Sequence, residues 1–311
     1  MVAEMSSSFP SSRTNSRPSG ETSAGPEPAQ HNAARLDPGL YIVSTPIGNL
    51  RDITLRALDT LASVDEVLAE DTRVARKLMD AHGIHAKLSP YHDHNGAERR
   101  PGLLQRLQDG ERLALISDAG TPLVSDPGWK LVHEAREAGV RVIPIPGASA
   151  MLAGLVASGL PSDQFMFCGF LPVKSGARRK AAEDLKTVPA TLIFYEGGSR
   201  LAACLSDLAE ILGETRDCVV ARELTKLFEE VRAAPLRELA DHYGEAGAPK
   251  GEIVILIGPP GRQEASAADI DTALQDAMQR LPMKAAANEV AEVFGLSKRD
   301  LYQRALQLKN G

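Results

Sequence analysis

Residues 40–50 read Leu-Tyr-Ile-Val-Ser-Thr-Pro-Ile-Gly-Asn-Leu, a short apolar and β-branched run that leads directly into a loop with proline and glycine. In the segment that follows, residues 54–62, Leu55, Leu58 and Leu61 recur at the spacing of one helix face. A strand, a Gly/Pro loop and a helix in this order are typical of the first βα unit of a parallel sheet.

The same alternation continues along the chain and predicts an α/β fold. A first series predicts a mostly parallel sheet with helices on both faces, and a second βα series begins near Phe165. The predicted strands are residues 40–44, 64–69, 112–117, 140–145, 166–170, 192–195, 218–222 and 252–257; the predicted helices are 54–62, 72–81, 103–109, 128–138, 177–186 and 200–212.

Changes in composition divide the chain into four predicted segments. Residues 1–38 are rich in serine and proline and predict a disordered tail. An N-terminal α/β domain over 39–160 meets a C-terminal α/β domain over 161–262 at the turn-rich residues 159–163. Residues 263–311 predict a small helical domain with helices at 269–280, 284–294 and 298–308, the last two forming a helix–turn–helix. Its apolar stripe, read as core, is Val290, Val293, Phe294, Leu301 and Leu308.

Composition and missing motifs exclude several classes of protein. The net charge of -6 argues against a protein that coats nucleic acid, so any nucleic-acid contact must come from local basic patches. The longest aliphatic run, residues 253–257, is too short for a membrane span. Three scattered cysteines without a C-x-x-C pair argue against zinc or a disulfide framework, so we expect a cytoplasmic protein with no metal site. Neither a P-loop nor a G-x-G-x-x-G loop is present.

Three loops rich in glycine and proline follow predicted strands, at residues 44–50, 118–128 and 145–150. Glycine lets the backbone approach a ligand closely, and proline fixes the turn. Because the carboxyl ends of parallel strands meet at one edge of a sheet, where α/β folds bind their ligands, we expect the three loops to share one binding site.

These loops also carry a resemblance to a known family. The strings are Thr45-Pro-Ile-Gly-Asn-Leu50, Ala69-Glu-Asp-Thr-Arg73, Gly120-Thr-Pro-Leu-Val-Ser-Asp-Pro-Gly128, Pro146-Gly-Ala-Ser-Ala150 and Arg222-Glu-Leu-Thr-Lys226. From about Gly39 to Lys309 the chain resembles the tetrapyrrole-methylase family of S-adenosylmethionine-dependent methyltransferases, and within it the members that act on small-subunit ribosomal RNA. The wider family typically has G-x-G-P-G-D in the first loop, where this chain has Thr-Pro-Ile-Gly-Asn.

The resemblance implies a fold, an activity and partners. The fold is two α/β domains with S-adenosylmethionine in the cleft between them; the activity is 2′-O-methylation of a decoding-region cytidine in 16S rRNA of the small ribosomal subunit. It also implies a homodimer, with neither membrane nor DNA as partner. Together, the three loops and the resemblance predict these cofactor-binding residues: Pro46, Gly48, Asp118, Gly120, Thr121, Pro122, Val124, Ser125, Pro146, Gly147, Ala148, Ser149, Ala150, Phe170, Leu171, Tyr195, Gly251 and Glu252.

One stretch departs from the family pattern. After Phe194-Tyr-Glu196 the family usually reads Ser-Pro-His-Arg, whereas this chain reads Gly197-Gly-Ser-Arg200. Ser199 therefore stands where the family has histidine, and a mechanism that needs an imidazole there does not operate in this chain.

Acidic and basic residues supply candidates for catalysis and RNA binding. A carboxylate that accepts the proton of a ribose hydroxyl would accelerate methyl transfer, and Glu70, Asp71 and Asp126 are the candidates. Capping of the following helices is the competing interpretation of these acids. The candidate RNA-binding residues form two clusters, Arg73, Arg76 and Lys77 in one and Lys174, Arg178, Arg179 and Lys180 in the other.

Two other functions fit the same sequence. The first is a methylase of this fold that acts on a small tetrapyrrole-like molecule, against which the basic clusters argue. The second is a non-catalytic regulator that binds nucleic acid through its C-terminal helices.

Overall fold

The computed structural model describes residues 36–261, 267–294 and 296–310. The predicted disordered tail falls almost wholly outside the described residues, as do residues 262–266 and Gly295 of the predicted helix–turn–helix.

The first sheet has five parallel strands in the order β3-β2-β4-β1-β5. Its two faces are covered by different helices. Leu58 of α1 and Met79 of α2 pack on one face, and Leu103 of α3 and Leu131 of α4 on the other. The prediction of a parallel sheet with helices on both faces is therefore confirmed. The strands are β1 Gly39–Val43, β2 Glu66–Ala69, β3 Leu88–Pro90, β4 Arg112–Ile116 and β5 Val142–Ile145, and the helices are α1 Leu55–Ser63, α2 Thr72–Ala81, α3 Asp93–Gln108 and α4 Trp129–Glu137.

The neighbouring strands β1 and β4 form the switch point of this sheet. The helix that follows β1 lies on one face, and the helix that follows β4 lies on the opposite face. The two connections separate at the carboxyl ends of these strands and leave a crevice between them, the usual ligand position in open α/β sheets.

The second sheet is mixed, although its sequence predicts another βα series. Its order is β6-β7-β10-β8-β9, and only β6 and β7 run parallel. Its strands are β6 Phe165–Phe170, β7 Thr191–Gly197, β8 Asp217–Arg222, β9 Glu230–Pro235 and β10 Glu252–Ile257. Helices α6 Ser175–Glu183, α7 Leu201–Leu212 and α8 Leu236–Ala246 flank these strands in the chain.

The sequence reading missed β3, β9 and α8. β9 is an edge strand whose side chains are largely exposed, so it lacks the alternating apolar pattern of a half-buried strand. β9 pairs with β8 as a hairpin. Because that connection is a hairpin and not a crossover helix, the strands run antiparallel and the second sheet differs from the first.

Helix α5, Ala150–Ser158, packs against the second sheet although it precedes the turn-rich residues 159–163. Its Leu155 is buried in one cluster with Ile193 and Val254 of that sheet. Ile47, from the loop after β1, joins the same cluster. The two sheets therefore share a packed interface beside the loops that follow β1 and β5.

The C-terminal helices are α9 Ala267–Arg280, α10 Met283–Phe294 and α11 Lys298–Asn310, as predicted within a few residues. Ser297 caps α11, since its Oγ accepts a hydrogen bond of 3.4 Å from the Asp300 N–H. Val290 and Leu301 of the predicted stripe are buried, but Val293 is 73% exposed, so its assignment to the core is wrong. No helix in the described part of the chain combines the length and apolarity required to cross a bilayer.

A buried ion pair joins α6 to α7. The Arg178 guanidinium is 2.5 Å from the Asp207 carboxylate, and both residues are buried. Arg178 also donates to the carbonyls of Pro172 and Val173, which fixes the segment that leads from β6 into α6.

We expect Asp207→Ala to lower the free energy of unfolding by about 3–5 kcal/mol, because it leaves the buried charge of Arg178 without a partner. Urea denaturation followed by circular dichroism measures the loss. Glu183→Ala is the matched control: its ion pair with Lys186 is exposed, and we expect a change within about 0.5 kcal/mol. If Asp207→Ala lowered the free energy of unfolding as little as Glu183→Ala does, the stabilising role of the buried ion pair would be contradicted.

Candidate functional site

A cavity of about 330 Å³ lies between the two sheets. One wall comes from the loop after β4, the start of α5 and Ile47; the other comes from β6, β7, β10 and the turn after β8. Its volume and its mixture of apolar and polar groups are those of a small-molecule site. The lining residues are Ile47, Asp118, Ala119, Gly120, Thr121, Val124, Ser125, Asp126, Ser149, Ala150, Phe170, Tyr195, Glu196, Gly197, Leu224, Gly251, Glu252, Ile253 and Val254.

Hydrogen bonds join the three Gly/Pro loops of the first sheet. The Thr45 N–H donates to the Gly120 carbonyl at 2.8 Å, and the Gly120 N–H donates back to Thr45 at 3.1 Å. The Thr121 hydroxyl donates to the Ala148 carbonyl at 3.2 Å and lies 3.0 Å from the Ser44 hydroxyl. The expectation that these loops meet at one edge is met by direct contacts among all three.

Four non-glycine residues of the described chain have a left-handed backbone, and all four lie in loops that border the cavity. Leu123 has φ 76° and Ser125 φ 64° in the loop after β4, while Glu223 has φ 51° and Thr225 φ 67° on either side of the cavity-lining Leu224. Such conformations cost of order 1–3 kcal/mol each and concentrate at functional sites, where packing enforces them.

Tyr195 forms much of the wall contributed by the second sheet. Its hydroxyl accepts a hydrogen bond of 3.1 Å from the Met151 N–H of α5, and burial raises its pKa. The rings of Phe167 and Phe170 stand edge-on to it, with centroids 4.8 and 5.6 Å away. Because Tyr195 bonds to α5 while it stacks with β6, it ties the two walls together.

Glu196 and Gly197 also line the cavity, and the sequence reading missed both. Glu196 is 3% exposed and accepts a hydrogen bond of 3.0 Å from Arg200. The same guanidinium donates to the Leu171 carbonyl at 2.7 Å, so Arg200 joins the ends of β6 and β7. Ser199, at the position of the family histidine, is exposed and does not line the cavity.

The other missed residues lie next to predicted ones in the sequence or within one of the quoted strings. Leu224 stands in the quoted string Arg222–Lys226, and Ile47 in the first loop. Ala119 adjoins predicted residues, while Ile253 and Val254 follow Glu252 along β10. In the sequence these apolar residues cannot be distinguished from residues of the hydrophobic core. Only the positions of the strands and loops in the fold show that they line the cavity.

Seven of the predicted cofactor residues do not line the cavity. Leu171 is buried against α7, and Gly48 lies against the Lys226 side chain, to whose Cγ a Cβ would come within 2.4 Å. A Cβ at Gly147 would come within 2.8 Å of Ser44 Cβ, so this glycine allows two loops to touch. These residues shape the loops around the cavity; the full set is Pro46, Gly48, Pro122, Pro146, Gly147, Ala148 and Leu171.

The three candidate acids differ in their environments. Asp71 caps α2, accepting from the Arg73 N–H at 2.8 Å, and pairs with the Arg73 guanidinium, whose hydrogen bonds lower the pKa of Asp71 to about 2. Burial raises the pKa of Glu70, and the carboxylates of Asp118 and Asp126 raise it further. Burial also raises the pKa of Asp126, the only one of the three candidates to line the cavity.

The predicted basic clusters contain residues held in ion pairs and exposed residues that have no ion pair. Arg178 is 4% exposed and bound to Asp207, so its prediction as an RNA contact is corrected: its role is structural. Arg179 pairs with Glu210, and Arg73 pairs with Asp71. Within the two predicted clusters, the exposed cations without an ion pair are Arg76, Lys77, Lys174 and Lys180.

No three histidine, cysteine, aspartate or glutamate side chains converge as a metal site within residues 36–261, 267–294 and 296–310.

Comparison with known families and structures agrees with this geometry. The profile of the tetrapyrrole (corrin/porphyrin) methylases matches residues 39–240, and that of the RsmI C-terminal HTH domain matches residues 264–309. The uroporphyrin-III C-methyltransferase of Thermus thermophilus, complexed with S-adenosylhomocysteine, has the same fold. Its structure aligns with a TM-score of 0.50 and 22% identity, covering 70% of this chain and 96% of that one.

Relatives with much higher identity are ribosomal RNA small subunit methyltransferases I. The protein of Mesorhizobium japonicum is 55% identical over 89% of this chain and 95% of its own length. That of Escherichia coli O157:H7 is 47% identical over 89% of this chain and 98% of its own length. The chain therefore belongs to the tetrapyrrole methylase family and, within it, to the ribosomal RNA small subunit methyltransferase I proteins, which confirms the resemblance stated from its sequence.

The cavity-lining Gly197 and the adjacent Gly198 offer a sharp test of how the neighbouring loop packs. A Cβ at Gly198 would lie 1.7 Å from the Pro249 carbonyl oxygen, whereas a Cβ at Gly197 has nothing within 4 Å. We expect Gly198→Ala to lower the free energy of unfolding by about 1–3 kcal/mol, because the loop that ends at Gly251 must move away. Thermal and urea unfolding measure the difference.

Gly197→Ala is the matched control, and its backbone, with φ -93°, is one that alanine adopts readily. We expect it to be as stable as the wild type or more stable by up to about 1 kcal/mol. Equal stability of the two variants would mean that the loop at Pro249 does not pack against Gly198.

Proposed function

We propose that this protein transfers the methyl group of S-adenosylmethionine to the ribose 2′-hydroxyl of a decoding-region cytidine in 16S rRNA. The observation that carries the proposal is the cavity at the switch point of the first sheet, in a chain whose relatives are named for small-subunit ribosomal RNA methylation. The protein would then act in the cytoplasm, on the small ribosomal subunit, as a homodimer.

The cavity fits the proposed methyl donor in size, shape and charge. Its small residues and glycine backbone, such as Ala119, Gly120 and Ala150, leave room for a flat adenine and a ribose, and Val254 offers apolar contact. The carboxylates of Asp118 and Glu252 suit a ligand that carries a sulfonium and an ammonium group. When bound, S-adenosylmethionine supplies a methyl group already activated by its positive sulfur.

The related fold supports the same choice of ligand. The uroporphyrin-III C-methyltransferase of similar architecture is complexed with S-adenosylhomocysteine, the product of methyl donation. The residues that we propose to hold the donor are the predicted residues at the cavity: Asp118, Gly120, Thr121, Val124, Ser125, Ser149, Ala150, Phe170, Tyr195, Gly251 and Glu252.

Among the candidate acids we assign the role of general base to Asp126. It lines the cavity, and burial raises its pKa, so its carboxylate holds a proton more firmly than an exposed aspartate. A ribose hydroxyl must lose its proton as the methyl group is transferred, and a nearby carboxylate receives it. Asp71 fits this role poorly, because its oxygens are occupied by Arg73 and its pKa is depressed to about 2.

RNA would reach the cavity along exposed cations on both sides. Arg76 and Lys77 lie on α2 of the first domain. Lys174 immediately precedes α6 of the second domain, and Lys180 lies within that helix. Phosphate contacts from such side chains give binding that weakens as salt rises. The C-terminal helices would add an RNA-docking or dimer-supporting surface.

The decisive experiment is methyl transfer to isolated 30S subunits from a strain that lacks the enzyme. With radiolabelled S-adenosylmethionine, we expect label in 16S rRNA at a cytidine whose 2′-oxygen carries the methyl group, found by nuclease digestion and mass spectrometry. Subunits from the parent strain, already modified, are the control. Label on the base would overturn the 2′-O assignment, and label in a porphyrinogen instead of RNA would favour the small-molecule alternative.

We expect Asp126→Asn to lower kcat by roughly 10²–10⁴-fold, the usual contribution of a general base. The wild-type enzyme should reach its full kcat at pH values above the raised pKa of Asp126, and kcat should fall as the pH drops through that pKa, because only the ionised carboxylate accepts a proton. In the Asp126→Asn variant, this fall of kcat at low pH should disappear.

Asp71→Asn is the control for the assignment. It retains an oxygen that caps α2 and should change kcat far less than Asp126→Asn. A greater loss in the Asp71 variant would transfer the role of base to that residue.

A further inference from the structure

Trp129, the single tryptophan of the chain, is 61% exposed. It is the first residue of α4 and follows the cavity-lining Ser125 and Asp126 by only a few residues. Tryptophan is a large, mostly apolar side chain that is usually well covered in a folded protein. An exposed one at the edge of a binding site is a candidate contact for a partner.

The backbone that carries Trp129 is rigid. A Cβ at the preceding Gly128, whose φ is 124°, would come within 2.6 Å of the buried Leu115 side chain, so this glycine fits closely against the core. Leu131 and Ala135 anchor α4 with no exposed surface. The indole is thus held at a fixed place while its ring faces outward, and little backbone freedom would be lost when a partner stacks on it.

Cationic and imidazole groups surround the indole. The Lys130 ammonium lies 5.8 Å from the ring centroid, and the His133 ring centroid lies 6.2 Å from it. A flat aromatic face beside a positive charge matches an unpaired nucleotide, whose base stacks on aromatic rings while its phosphate attracts cations.

We propose that Trp129 is a stacking platform for an unpaired base of the RNA, adjacent to the nucleotide that enters the cavity. The proposal rests on the proposed function, since it names a contact made by that same substrate. Trp129 acts in binding and touches none of the reacting groups, whereas Asp126 acts in the chemical step.

The charge around Trp129 favours RNA over a second copy of the chain. Dimer interfaces bury continuous apolar patches with few charges at their centre. Here the flanking side chains are Lys130 and His133, both of which are exposed, and His133 lies 3.4 Å from the Glu137 carboxylate. A surface of this kind suits a negatively charged, aromatic partner.

The first test measures methyl transfer to 30S subunits. We expect Trp129→Ala to raise KM for the subunits about 5- to 100-fold, the range for loss of one base–aromatic stack, with kcat and KM for S-adenosylmethionine unchanged. Trp129→Phe keeps a stacking ring and should recover most of the affinity. Phe165→Ala is the matched control, because Phe165 is an exposed aromatic residue at the end of β6 remote from the cavity-lining Phe170.

The outcomes distinguish this inference from the proposed function. An active wild type with an unchanged KM in Trp129→Ala would overturn the stacking role and leave the proposed function standing. An inactive wild type would overturn the proposed function and, with it, this inference. A fall in kcat alone would also reject a platform that acts in binding.

A second test uses the tryptophan fluorescence of the wild-type protein, excited at a wavelength that its five tyrosines do not absorb, so that the emission reports on Trp129 alone. Protein-free 16S rRNA should quench the emission and protect the indole from acrylamide, and added salt should reverse both effects. Unchanged emission under conditions where the RNA is bound would overturn the proposal. So would a change that follows protein concentration without RNA, because the indole would then lie between copies of the chain.

Discussion

Two backbone hydrogen bonds between Thr45 and Gly120 hold the loops after β1 and β4 together, at the point where the connections of the first sheet separate. The third loop joins them through the bond from the Thr121 hydroxyl to the Ala148 carbonyl. The chain connections that follow β1 and β4 lead to opposite faces of the sheet and leave a crevice between them. These hydrogen bonds fix one wall of that crevice. The loop that this junction holds in place carries the cavity-lining Asp118 and Asp126 and leads into the first residue of α4.

The second sheet completes the site by packing against the same junction. Tyr195 bonds to α5, and Ile47 from the first loop is buried among residues of the second sheet. The left-handed residues Ser125 and Thr225 lie on opposite sides of this contact. Strain of this kind persists only where surrounding packing enforces it, so the cavity is built into the interface and does not form on a loop alone. That rigidity suits a site in which a methyl donor and an acceptor must be aligned.

Much of the site could be predicted because its signals are local. Glycine and proline at strand ends, as in Pro46 and Gly120, report on backbone turns that the sequence encodes directly. Glu196 and Val254 carried no such signal, since a buried glutamate or valine looks like any strand residue until its neighbours are known. Arg178 resembled an RNA contact in a basic run, but its partner Asp207 lies 29 residues away in the chain and converts it into a buried structural group.

The sequence by itself determined the βα order of the first domain apart from β3, its three Gly/Pro loops and the helical C-terminal domain, because turn chemistry and helical periodicity act over a few residues. Tertiary structure alone decided that the second sheet is mixed, since strand direction depends on which distant strands pair. It also gave the candidate acids different environments: Asp71 is held by a neighbouring arginine, while Asp126 lines the cavity and burial raises its pKa. Burial and charge partners are properties of the folded chain, and they set the chemistry of a carboxyl group.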